Sequence, residues 1–96
     1  MKITSVNNDL IKETSKLLKG KYRDETGLFL IEGVKGINEA ISSDLEIVHI
    51  FSTEGFENHS ARIEVTEAVI NKISDAKTPP KAVAVARQLK YEWSEN

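Results

Sequence analysis

Lys12, Lys16 and Lys19 stand four and three residues apart, a spacing that lines up their ammonium groups on one face of a helix. The row leads into Lys21, Tyr22 and Arg23, a basic segment built around one aromatic ring. Residues 1–23 hold six Lys/Arg against two acids, a net of +4. Residues 24–96 hold seven against thirteen, a net of −6, and the two sum to the chain's −2. A basic end on an otherwise acidic chain points to a local anionic partner. The competing reading is a solvated lysine face on a surface mixed by chance.

Catalytic chemistry needs convergent titratable groups, and the sequence offers none. His49 and His59 are ten apart, and no acid or histidine spacing resembles a metal site. With no cysteine there is no thiol nucleophile or disulfide, and no Ser or Thr sits in a nucleophile elbow. Gly33 and Gly36 open a helix after a strand, but the third glycine of a dinucleotide loop is missing. Neither catalytic nor metal residues are therefore assigned. Glu32, at the end of an apolar strand, has a structural reading. Its carboxylate can accept the free N–H groups of the next helix, or it can pair with Arg23.

The elements that position these groups follow from periodicity. Asn7 or Asn8 caps a first helix carrying Leu10, Ile11, Leu17 and Leu18, and Gly20 is expected to end it in a left-handed C-cap. Lys19 to Arg23 then reads as a loop between Gly20 and Gly27, mobile until a partner orders it. Leu28 to Ile31 is short and apolar without alternation, so it reads as a strand buried on both faces. Gly33 breaks it, and a helix through Val34, Ile37, Ala40 and Ile41 leads to a second strand, Ile47 to Phe51. That is a βαβ unit. Ala61 to Val65 is a third strand, and Thr66 caps a helix with Val69, Ile70 and Ile73 inward. After a Pro-marked loop, Val83 to Ala86 is a fourth strand. The expectation is an α/β fold, a three-layer α/β/α sandwich on a four-stranded mixed, mostly parallel sheet. Residues 1–87 form the domain, and 88–96 a linker or tail. No apolar run approaches the roughly eighteen residues of a membrane span. A cytoplasmic location is expected.

Ile3-Thr4-Ser5, Asn8, Ile11-Lys12, Leu17 or Leu18 followed by Lys21 and Arg23, Gly27-x-Phe29-x-x-Glu32-Gly33 and Glu39-Ala40 form an ordered set. Together they resemble the N-terminal substrate-binding domain of the SpoU/TrmH family of RNA 2′-O-ribose methyltransferases. Ile73-Ser74-Asp75-x-x-Thr78-Pro79, followed by an Ala/Val strand, is similar to the end of that domain. The likeness covers about residues 3–86 and departs at Pro80-Lys81-Ala82, where the family often has Gln-Gly. It implies a fold like that of kink-turn-binding ribosomal proteins. Gly36-Ile37-Asn38-Glu39 is similar to the start of their RNA-binding helix, although Ser42 stands where they place a lysine.

The resemblance implies an RNA partner, ribosomal or transfer RNA. Lys12, Lys16, Lys19, Lys21 and Arg23 would contact phosphates and Tyr22 would stack on an unpaired base. Lys35 and Asn38 would add contacts at the next helix, and Glu32 and Gly33 mark the structural motif. S-adenosylmethionine would bind a knotted catalytic domain outside these residues, with no cofactor in this chain, and the whole enzyme would be a homodimer through that domain. The alternatives are a free-standing kink-turn-type RNA-binding protein and a dimerisation or protein-interaction module.

Overall fold

The computed structural model describes residues 2–87. The expected tail, Gln88 to Asn96, lies outside the described residues. Among the described residues five strands form one sheet: β1 (Lys2–Ile3), β2 (Leu28–Glu32), β3 (Glu46–Ser52), β4 (Arg62–Val65) and β5 (Ala82–Arg87). Their order across the sheet is β1-β4-β3-β5-β2. β4 runs parallel to β1 and β3, whereas β5 runs antiparallel to both β3 and β2. The sheet is therefore mixed as expected. It has a fifth strand, because Lys2–Ile3 in the extended lead-in pairs with Glu64 and Val65. The pairings divide evenly between parallel and antiparallel.

The alternation of side chains along the central strands builds two separate cores. On one face Phe51, Ile63, Val65, Val83 and Val85 pack under helices α1 (Asp9–Ser15) and α4 (Glu67–Lys72), which contribute Ile11, Val69 and Ile70. On the other face Ile50, Ala82 and Ala84 pack under α3 (Val34–Ser42), which contributes Ile37. The alanines of β5 leave room for α3 to sit close. At Gly36 a Cβ would come 3.0 Å from Ile31 Cγ2. Three layers result, as the element order predicts.

β2 corrects one expectation. It is half-buried rather than buried on both faces, because it is an edge strand with a single neighbour. The fully buried apolar run is β5, where Ala82 to Ala86 are all buried. β2 and β3 do run parallel to one another across the α3 crossover, but β5 lies between them.

Candidate nucleic-acid interface

The basic segment is helical, which corrects the expected loop. Asn8 caps α1, its Oδ1 accepting the N–H groups of Leu10 at 2.9 Å and Ile11 at 3.3 Å. After Ser15 the chain tightens into a 3-10 turn, Lys16–Leu18, and Lys19 is extended (φ −107°, ψ 133°). Gly20 does not end the helix in a left-handed cap. It starts a further helix, α2 (Gly20–Thr26), and the left-handed cap falls at Gly27 (φ 72°, ψ 9°). The row of lysines is thus bent at Lys19, with Lys12 and Lys16 before the bend and Lys21 and Tyr22 after it.

Tyr22 is half-buried and packs on the core beneath α1. The ammonium groups of Lys16 and Lys21 stand 5.7 and 6.0 Å from the centre of its ring, within cation–π range. Lys16 also donates to the Glu13 carboxylate at 2.7 Å. That hydrogen bond and charge raise its pKa. Beside the ring lies a recess of about 440 Å³ lined by Ser15, Lys16, Leu18, Lys19, Tyr22 and Lys72. Lys72 escaped the sequence reading. It comes from the last turn of α4, which packs beside α1, and no spacing along the chain ties it to Lys19.

Arg23 is held differently. It is half-buried, and its Nη1 donates to the Leu17 carbonyl at 2.9 Å, so part of its guanidinium fixes α2 to the 3-10 turn. With Leu17, Leu18, Phe29, Leu30, Glu32 and Asp75 it lines a second recess of about 320 Å³. Leu18 borders both recesses. Glu32 neither caps α3 nor pairs with Arg23. Its two oxygens accept from Ser74 Oγ at 2.5 Å and from the Asp75 N–H at 3.2 Å. Glu32-Gly33 and Ser74-Asp75, far apart in the chain, thereby form one joint.

Lys35 and Asn38 lie elsewhere. Both are exposed on α3, across the sheet from α1 and α4, where they line a broad groove of about 1000 Å³ with Val34, Glu39, Ser42 and Ser43. Val34 is 41% exposed. The eight residues singled out for RNA contact therefore fall on two faces. Among the described residues no group of His, Cys, Asp or Glu is placed to hold a metal ion. Burial lowers the pKa of His49, which sits 5.6 Å from the Phe51 ring, and favours its neutral form.

Residues 8–84 match the family described as the MRM3-like substrate binding domain. The chain belongs to that family. Among solved structures, an RNA 2′-O ribose methyltransferase is 32% identical with a TM-score of 0.82, and the match covers 100% of this chain and 41% of that one. An rRNA methyltransferase from Sinorhizobium meliloti is 26% identical with a TM-score of 0.79, covering 95% and 38%. The SpoU methyltransferase AviRb from Streptomyces viridochromogenes, solved with AdoMet, is 18% identical with a TM-score of 0.69, over 88% and 37%, a likeness of fold. This member of the substrate-binding family thus spans about two fifths of the length of the structures it matches. No curated protein matches it.

Proposed function

We propose that the chain is the RNA-binding part of an S-adenosylmethionine-dependent RNA 2′-O-ribose methyltransferase acting on ribosomal or transfer RNA. The observation that carries this reading is the family match over residues 8–84. In it, a knotted catalytic domain outside these residues binds the methyl donor, performs the transfer and joins two copies in a cytoplasmic dimer. The role of this chain is to hold and orient the RNA. No helix among the described residues is long and apolar enough to cross a membrane.

The interface is the bent basic ridge. Lys12, Lys16, Lys19, Lys21 and Lys72 supply cations to phosphates, and the exposed part of Tyr22 supplies a stacking surface beside them. Lys16, Lys19, Lys21 and Lys72 hold positive charge around the ring, which suits a nucleotide with its phosphate over the recess. Arg23 acts at this surface mainly by fixing α2. Lys35 and Asn38, on the opposite face, would make a separate contact.

With three or four of these five cations on phosphates of a single strand at one time, log affinity falls with log salt at a slope of about −2 to −3. Lys16, Lys19 and Lys72 jointly changed to Ala should weaken binding at least about tenfold and flatten that slope by about 2. Anisotropy titrations of a single-stranded RNA at several salt concentrations measure both. Affinity indifferent to salt and to the triple change would refute the interface, and a loss centred on Asn38→Ala would move it to α3.

A further inference from the structure

The recess at Arg23 differs in chemistry from the lysine ridge beside it. Leu17, Leu18, Phe29 and Leu30 contribute to its lining, and a guanidinium and two carboxylates share it. Arg23 forms no ion pair with Glu32 or Asp75 among the described residues, although all three line the same small space. Only the Nη1 bond to Leu17 occupies the guanidinium, and its other donors take no protein acceptor among the described residues. The Asp75 side chain is exposed and accepts no hydrogen bond among them. Its backbone is nonetheless pinned, because its N–H is held by Glu32, whose other oxygen takes the neighbouring Ser74 hydroxyl. The free guanidinium donors and the Asp75 carboxylate thus share one recess without pairing with each other, on a backbone that Glu32 holds in place.

A ligand group that satisfies this recess must accept from a guanidinium and donate to a carboxylate. Among the four RNA bases only guanine does so with two acceptors and two donors on adjacent edges. Its O6 and N7 accept from arginine, and its N1–H and N2–H groups donate to a carboxylate. Adenine and cytosine each present one exocyclic donor beside an acceptor, and uracil a single N–H between two acceptors. The volume, about 320 Å³, lies at the small end of ligand sites, suiting one base rather than a whole nucleotide. Leu18 separates it from the Tyr22 recess by a single side chain, so a strand whose phosphates follow the lysines brings its next base to this opening.

We infer that the Arg23–Asp75 recess selects an unpaired guanine in the bound RNA, with Asp75 as the discriminating acceptor and Glu32 as the residue that positions it. The inference rests on the RNA-binding reading above. The carboxylates repel phosphate, so the recess adds selectivity more than affinity.

The test is anisotropy with short uridine-rich strands that carry one central guanosine, inosine or adenosine. The guanosine strand should bind about tenfold more tightly than the adenosine strand, as one good bidentate contact allows. Inosine, which lacks the N2 amino group, should fall between them. Asp75→Ala keeps the backbone N–H that Glu32 holds, and should abolish the ratio of guanosine-strand to adenosine-strand affinity, over and above any uniform gain that the lost negative charge gives both strands. Equal affinity for all three strands, or a guanosine preference that survives Asp75→Ala, overturns the guanine recess and leaves the RNA-binding reading intact. Absence of binding to every strand at low salt overturns both.

Discussion

The carboxylate of Glu32 ties the end of β2 to the loop that leads into β5. Hydrogen bonds to a charged acceptor contribute about 1.5–3 kcal/mol when shielded, and solvent reaches this pair. Glu32→Ala should therefore lower stability by about 1 kcal/mol, read as a shift of the urea midpoint at constant m-value. Combined with Ser74→Ala, the two changes should cost less than their sum, since they remove one shared bond. Strict additivity would mean that the joint does not exist in solution. At this scale the sequence singled out Glu32 and misjudged its partners. A terminal carboxylate next to a helix start suggests a cap, and only the folded chain brings Ser74 to it. Lys72 was invisible for the same reason. A lysine in the last turn of a short helix is commonplace, and what makes it part of a site is the packing of α4 on α1.

Between Lys19 and Gly27 the structure replaces a loop by a helix, and the two glycines that suggested a loop have opposite roles. Gly20 is helical, and a Cβ there would meet the tip of the Arg23 side chain at 3.4 Å, an ordinary contact. Gly27 adopts φ 72°, where an L side chain is strained. Gly20→Ala should stabilise the domain by up to about 1 kcal/mol, because alanine forms helix better. Gly27→Ala should destabilise it by about 1–2 kcal/mol. Thermal melts of the two variants distinguish the cases, and a loop at 19–27 would show neither the gain nor this contrast. The misreading has a physical cause. A glycine one turn past an apolar stripe signals a C-cap, yet the 3-10 turn had already ended α1 and left Gly20 to open the next helix. The strands were legible in position but not in rank. Leu28 to Ile31 and Val83 to Ala86 are both short apolar runs, and periodicity does not say which is central.

At the scale of the molecule, helix alternation and strand count identified the three layers, while sheet order came only from the structure. That order separates the lysine ridge from the α3 groove by the thickness of the sheet, so the candidate residues form two surfaces instead of one. It also places β5, the last strand among the described residues, in the interior, with β3 on one side and β2 on the other. A chain ending at Lys81 would leave two apolar strand edges unpaired and both cores without their β5 residues. It should be unfolded, seen as collapsed amide dispersion in an NMR spectrum, and a native-like spectrum would contradict the central role of β5. On the ribosome the same geometry has a temporal meaning. The nascent chain cannot close its sheet until Arg87 has cleared the exit tunnel, so β2 and β3 emerge early and wait with their edges bare. Assembly of this domain is a late event in its own synthesis, and the interval before it is when a chaperone would have most to hold.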